Sequence, residues 1–280
     1  MHYKKLIFLF TFIGFIFVSQ SWLFQKNQQY NFQSLEYYHD IKDIFVSAEK
    51  GTLFLFDVDD TLITVTDAIR FAPPLFKVLA FLKHPLSTFK YYQLTSAIVQ
   101  QSNFFVFDPH IVRYIQTLRQ KDYNVIGLTL MRSGSYGSIN SMPEWRSTML
   151  NDFGINLDDQ FPDCSFKNLS KKHGSYPCLY KGILCTNFTD KGATLGAFLD
   201  RYNLQPPRII FFDDSVKMLN SVAKECAKRD IPFSGYQCIG AQKLFKTWNY
   251  QRAFYQVDYF IKHHVWLSDE EADTQRKVII

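Results

Sequence analysis

Two acidic clusters carry most of the chemical potential of this sequence. Asp57-Val58-Asp59-Asp60-Thr61 closes a continuous apolar run, residues 52–56, and Asp213-Asp214-Ser215 closes another, residues 208–212. A third run, residues 123–129, ends in Thr129, and Lys191 stands in Thr189-Asp190-Lys191-Gly192. Carboxylates held together serve as nucleophiles, acids and bases. In an open α/β sheet, ligands sit at the carboxyl ends of the strands. Asp57, Asp59, Thr129, Asp213 and Asp214 are therefore expected to converge. One Asp after a strand is weak evidence, because turns and helix caps use the same residue. Several such positions in order form a far stronger signal.

The elements that must position them can be read from hydrophobic spacing. Residues 52–56, 123–129, 208–212 and 231–239 are apolar on both faces and predict strands. Residues 109–121, 143–152, 191–202 and 216–229 have helical spacing, and residues 34–46 read as an amphipathic helix with Ser34 as N-cap. Buried strands separated by helices predict an α/β fold with a central parallel sheet covered on both sides. Two insertions interrupt the pattern. Residues 63–107 exceed the usual connection length and carry helical spacing at 74–82 and 86–101. Phe71, Phe76, Tyr91 and Tyr92 in this insertion are read as its own core, with pocket-facing positions as the alternative. Residues 156–187, with Cys164 and Cys178, are expected to form a hairpin beside the site.

Composition narrows the class. With 280 residues, 47% hydrophobic and 20% charged, wholesale disorder, collagen and coiled coil are excluded. The net charge of +5 includes Lys4 and Lys5 at the extreme N-terminus, so the remainder gives no case for a nucleic-acid partner. Those lysines precede thirteen uncharged residues, 6–18, and Ser19-Gln20-Ser21. This is the layout of a secretory signal, residues 1–21. As a helix the apolar run spans roughly 20 Å, short of the ~30 Å hydrocarbon core. Extension to Phe24 keeps an uncleaved membrane anchor as the alternative. The chain is thus expected to be exported, periplasmic or secreted, touching a membrane only through this segment. Cys164–Cys178 and Cys226–Cys238 are the sequence-near pairs that an exported protein can bridge. Five cysteines leave at least one thiol unpaired within the chain, and five buried free thiols are the alternative. His39, His110, His173, His263 and His264 show no spacing that pairs them with a nucleophile.

Phe56-Asp57-Val58-Asp59-Asp60-Thr61-Leu62 resembles the first motif, DxDxT, of the haloacid dehalogenase (HAD) superfamily of phosphatases. Thr129 resembles the second motif, Lys191 the third and Asp213-Asp214 the fourth. The resemblance spans residues 52–239. With the N-terminal segment and Trp266-Leu267-Ser268-Asp269, the chain is also similar to a secreted bacterial HAD group of unknown function. The implied fold is a HAD-like Rossmannoid three-layer sandwich. Residues 22–62 and 108–280 would form its core, and residues 63–107 a small helical cap that excludes water and selects substrate.

The resemblance implies a Mg2+-dependent phosphatase acting through an aspartyl-phosphate. Asp57 would be the nucleophile. Asp59 would protonate the leaving alkoxide and then deprotonate water, which requires a raised pKa. Asp57, the Asp59 backbone carbonyl, Asp213 and Asp214 would hold Mg2+, which favours oxygen ligands. Thr129 and Lys191 would bind phosphate, with Ser133, Ser135 and Lys181 as competitors and Arg132 and Arg146 as further contacts. Asp60 reads as a turn or supporting residue. The expected partner is a small phosphorylated substrate or a phosphoprotein. Phosphotransfer and a non-catalytic HAD-fold binding or effector protein are the alternatives.

Overall fold

Leu53-Phe54-Leu55-Phe56 is apolar at every position, and all four side chains are buried. Such a strand needs cover on both faces and neighbours on both edges. The computed structural model gives it both, and describes residues 30–157, 161–244 and 248–279. The targeting segment expected at residues 1–21 lies outside the described residues. Among the described residues, no helix is long and apolar enough to cross a membrane. Phe32–Ile280 forms one compact unit.

The strands are β1 (Gln33–Leu35), β2 (Leu53–Phe56), β3 (Ile63–Val65), β4 (Phe104–Val106), β5 (Asn124–Thr129), β6 (Cys164–Ser165), β7 (Cys178–Tyr180), β8 (Ile183–Cys185), β9 (Ile209–Asp213) and β10 (Phe233–Cys238). The helices are α1 (Lys42–Ser47), α2 (Pro74–Lys83), α3 (Thr88–Gln101), α4 (His110–Gln120), α5 (Met142–Asp152), α6 (Lys191–Arg201), α7 (Val216–Lys228), α8 (Tyr250–His263) and α9 (Asp269–Ile279). Eight strands form one sheet in the order β1-β10-β9-β2-β5-β8-β7-β6, and β3 and β4 pair separately. From β1 to β8 all pairings are parallel; β8-β7 and β7-β6 are antiparallel. The sheet is therefore mixed, not purely parallel as expected, because residues 156–187 return as a meander that extends one edge.

Alternation along the strands separates two faces. Phe54, Phe56, Val125, Ile210 and Phe212 pack with Phe45, Ile111, Ile115 and Leu150. Leu53, Leu55, Ile126, Leu128 and Phe211 pack with Leu195, Phe198, Leu219 and Val222. Helices thus cover both sides of the sheet. Chain order runs outward from β2 through β5 and β8, then returns by α6 to β9 on the other flank of β2. This reversal makes the carboxyl end of β2 a topological switch point, where such sheets bind ligands.

Two expectations are corrected, and the cysteines follow the unpaired alternative. Residues 34–46 are not one helix: Ser34 lies in β1 opposite Gln237, a 3-10 turn covers Tyr38–Ile41, and only Lys42–Ser47 is α-helical. Edge pairing buries Leu35 and outweighs local helical spacing. All five cysteines are free thiols. Cys164 lies opposite Leu179 and Cys178 opposite Cys185, while Cys226 and Cys238 pack in the cores on opposite faces of the sheet. Finally, the helical insertion buries its apolar side against the C-terminal helices. Ile69, Phe76, Leu94 and Ala97 join Ala253, Val257, Phe260 and Trp266 in a third cluster.

Candidate active site

Asp57 follows β2 directly, and its backbone N–H donates to the Phe212 carbonyl across the sheet, 2.8 Å. Asp213 ends β9, and Thr129 ends β5 two residues after Gly127, the register partner of Phe56. Lys191 opens α6, which Asp190 caps by accepting the Ala193 N–H at 2.9 Å. The four segments meet at the switch point. Lys191 is buried, and its Nζ donates to Asp57 Oδ1 at 2.7 Å and to Asp213 Oδ2 at 2.6 Å. One carboxylate oxygen from each of Asp57, Asp213 and Asp214 lies within 4.8 Å of the others.

The neighbouring loop holds a second charge pair. Arg146, buried on α5, donates through NH2 to Asp59 Oδ1 at 3.0 Å. Arg70, in the 3-10 turn Ala68–Phe71 of the insertion, donates to Asp60 Oδ2 at 2.9 Å and lies 4.0 Å from Asp59 Oδ1. Asp60 adopts φ 61° and accepts the Thr64 hydroxyl at 2.8 Å, so it is both turn residue and anchor for Arg70.

These surroundings set the charge states. Burial outweighs the pull of Lys191 and, with Asp213 alongside, pushes Asp57 up to about 7. Burial with Asp57 and Asp60 nearby pushes Asp214 up to about 7, and burial raises Asp213 as well. Asp59 goes the other way. Burial alone would raise it, but Arg146 and then Arg70 hold its carboxyl below the usual range. The raised pKa expected for an acid at Asp59 is thus absent from this arrangement, because two guanidinium groups stabilise its ionised form. For Lys191, burial is outweighed by Asp57 and Asp213, which hold the ammonium charged.

With all five carboxylates ionised, as a bound cation would require, they face three cations and leave two negative charges in a largely buried site. An all-oxygen donor set carrying that excess fits a hard divalent cation. Asp57, Asp213 and Asp214 are the carboxylates placed to hold it.

Other sequence candidates divide clearly. Lys181 is exposed in the β7–β8 turn, with its Nζ over the Tyr180 ring, so Lys191 is the lysine of the site. Thr129 is buried, and its Oγ1 accepts the Met131 N–H at 3.4 Å. Ser133 donates its hydroxyl to the Tyr176 carbonyl, and Ser135 is exposed. Arg132 packs on the edge-to-face Tyr92 and Tyr136 rings, 4.9 and 4.8 Å from their centroids, whereas Arg146 reaches the site. Phe76 packs in the cluster shared with the C-terminal helices; Phe71 and Tyr91 are exposed. Sequence reasoning missed Arg70, a lone cation inside the insertion. It also missed Asn187, a buried residue at φ 49° that accepts the Ser133 N–H and donates to the Lys172 and Ser175 carbonyls. Asn tolerates positive φ, which is the one sequence hint for Asn187.

An acid-rich centre with a bridging lysine, set at the switch point of a helix-covered mixed sheet, defines the class of this α/β protein. The chain belongs to the family described as "Protein of unknown function (DUF2608)", which matches residues 34–273. It is similar to an uncharacterized protein of Rickettsia prowazekii (strain Madrid E), 22% identical over 244 residues, covering 83% of this chain and 85% of that protein. It is also similar to an uncharacterized protein of Rickettsia conorii (strain ATCC VR-613 / Malish 7), 27% identical over 147 residues, covering 49% and 46% respectively.

Proposed function

We propose that this chain is a HAD-type, Mg2+-dependent phosphatase that hydrolyses phosphate monoesters through an aspartyl-phosphate on Asp57. The observation that carries this reading is the convergence of Asp57, Asp213, Asp214 and Lys191 at the carboxyl edge of β2 and β9. Asp57, Asp213 and Asp214, with the Asp59 carbonyl, would hold Mg2+, which when bound offsets charge on the phosphate.

The chain's own residues would do the rest. The Asp57 carboxylate attacks phosphorus while the ester oxygen leaves. Lys191, fixed by two carboxylates, holds Asp57 in place and keeps a positive charge beside the transferring oxygens. Thr129 would turn its hydroxyl from the Met131 backbone toward the phosphate. Asp59 must carry a proton for the leaving alkoxide. A phosphate that draws Arg146 or Arg70 away would raise its proton affinity at that moment. Asp59 then takes a proton from the water that opens the aspartyl-phosphate, releasing inorganic phosphate and restoring Asp57. The helical insertion, which brings Arg70 to the site, would act as the cap. The basic head and apolar run of residues 1–21 support export, and so extracytoplasmic phosphate esters as substrates.

The test is hydrolysis of an aryl phosphate with and without Mg2+, by the wild type and Asp57→Asn. The reading expects Mg2+-dependent turnover that the substitution abolishes; turnover unchanged in Asp57→Asn would overturn it. The double grip of arginine on Asp59 favours a second reading, a site that binds phosphate without turning it over. Binding of Mg2+ and beryllofluoride with no hydrolysis would identify that case. Transfer to an added acceptor alcohol would identify phosphotransfer.

A further inference from the structure

A second constellation lies away from the carboxylate site and joins residues that are far apart in sequence. His39 lies in the 3-10 turn after β1, whereas Asp108 and His110 lie at the start of α4. One ligand atom from each of the three lies within 4.8 Å of the others. Asp108 is buried, only 2% exposed, while the side chains of His39 and His110 are 53% and 58% exposed. A fixed buried carboxylate under two accessible imidazoles is a different donor set from the all-oxygen site.

The positions are held by defined contacts. Asp108 Oδ2 accepts the Tyr38 N–H at 2.7 Å, and its Oδ1 accepts the His110 N–H at 3.0 Å. His110 Nδ1 lies 2.8 Å from that same Oδ1. With the ring proton on Nε2, His110 Nδ1 and the Asp108 oxygen both offer lone pairs, and one cation can be held between them. His39 is placed by stacking. Tyr37 lies against Phe107 with ring centroids 5.7 Å apart, and His39 lies against Tyr37 at the same separation. The His39 and His110 rings are then 5.6 Å apart. His39 Nε2 also pairs with Asp40 Oδ1 at 3.1 Å, a contact that a cation must compete with or use as outer support.

We propose that His39, Asp108 and His110 form a binding site for a borderline divalent cation of the Zn2+ type. Two imidazoles and one carboxylate suit Zn2+ with one position left for water, whereas Mg2+ favours oxygen ligands. The ion would clamp the segment after β1 to the start of α4. Tyr38 lies between this clamp and the carboxylate loop: its N–H bonds Asp108, and its hydroxyl donates to the Thr61 carbonyl at 3.4 Å. The inference does not depend on the phosphatase reading.

Calorimetric titration of the full chain with Zn2+, in excess Mg2+, tests this. The expected result is one Zn2+ per chain, with binding about tenfold or more weaker in each of His39→Ala and His110→Ala. Binding should persist in Asp57→Asn. Visible absorption of bound Co2+ gives a second readout, expected to change in the same two variants. Both histidines are exposed, so circular dichroism should show an unchanged fold. Zn2+ binding that survives both histidine substitutions, or that is lost on replacing Cys178 and Cys185 instead, would overturn the proposal, as would the absence of binding.

Discussion

Arg146 NH2 lies 3.0 Å from Asp59 Oδ1, joining α5 to the loop after β2 across 87 residues of sequence. Arg146 is 3% exposed, and its guanidinium also packs over the Phe104 and Trp145 rings. Arg146 is thus well shielded while Asp59 stays partly exposed, and the pair keeps Asp59 ionised.

Replacement of Arg146 by Met should remove the largest cationic influence on Asp59 while roughly keeping side-chain volume. Near neutrality the expected loss of stability is about 1–3 kcal/mol, since Asp59 remains partly solvated. The pH dependence has a definite sign. A carboxyl whose folded pKa is depressed contributes stability above its unfolded value, ~3.9, and loses it as pH falls through the folded value. The gap between wild type and Arg146→Met should therefore narrow below about pH 4. Urea denaturation at several pH values measures it, and a gap that stays constant into acid would exclude Asp59 as the partner that matters.

Asp57 and Asp214 carry the opposite sign. Burial with neighbouring carboxylates pushes each up to about 7. A raised folded pKa contributes stability below the unfolded value and loses it as pH rises through the folded one. Metal-free protein should therefore melt lower at pH 8 than at pH 5.5, as far as this site governs the difference. Added Mg2+ should stabilise more at pH 8, where protons no longer compete. Asp214→Asn should flatten the metal-free profile and weaken the response to Mg2+. Thermal melts across that range check both effects.

Lys191 bonds two buried carboxylates, and the next residue explains how it gets there. A Cβ on Gly192 would stand 2.3 Å from the Ser221 carbonyl oxygen, so the close approach of α6 to α7 needs glycine. Lys191→Met should cost about 3–5 kcal/mol at pH 8, because it leaves Asp57 and Asp213 facing each other without a counter-charge. Gly192→Ala should cost about 1–3 kcal/mol through overpacking. It should also displace Lys191, so the aryl-phosphate turnover proposed above should fall although the proposed nucleophile, Asp57, is intact. Full turnover in Gly192→Ala would separate helix packing from lysine placement.

The core strands were legible because β2, β5 and β9 are apolar on both faces, a pattern that reports burial directly. The residues closing them, Asp57, Thr129 and Asp213, were legible for the same reason: register carries strand ends to one edge. Lys191 was legible through its resemblance to the third motif and the helical spacing that follows, and the structure adds Asp190 as the cap. What failed has one physical source, since period reports which face is buried but not against what. Ser34 reads as a helix cap until β10 offers an edge. Arg70 reads as a surface cation until the insertion folds back over Asp60. His39 and His110, separated by the whole of that insertion and by β2, have no shared spacing at all. Asp59 was found, but its charge state depends on Arg146 and could not be read from its own segment.

The seam between the insertion and the C-terminal helices gives a final test, because it rests on a few buried polar contacts. Asp269 Oδ2 accepts the Ala68 N–H at 3.0 Å and pairs with Arg252 at the same distance, while Asp67 Oδ1 accepts the Asp269 N–H at 3.1 Å. Gln256 bridges Asp269 Oδ1 and the Leu267 carbonyl, and the Trp266 N–H donates to Gln101 Oε1 at 2.8 Å. Asp269→Asn keeps the shape but replaces one acceptor by a donor and removes the charge facing Arg252. A cost of about 2–4 kcal/mol is expected. The loss should be local, because the third apolar cluster packs at this seam and the sheet cores have their own packing. Limited trypsin digestion should then cut Asp269→Asn faster than wild type at Lys77, Lys83 and Lys90 on the insertion, with no matching gain at Lys217 or Lys228 on α7. Arg70 sits two residues beyond Ala68, so loosening the seam should also relax its hold on Asp60. Uniformly faster cleavage across all five sites would mean that Asp269 supports the whole fold and not this seam.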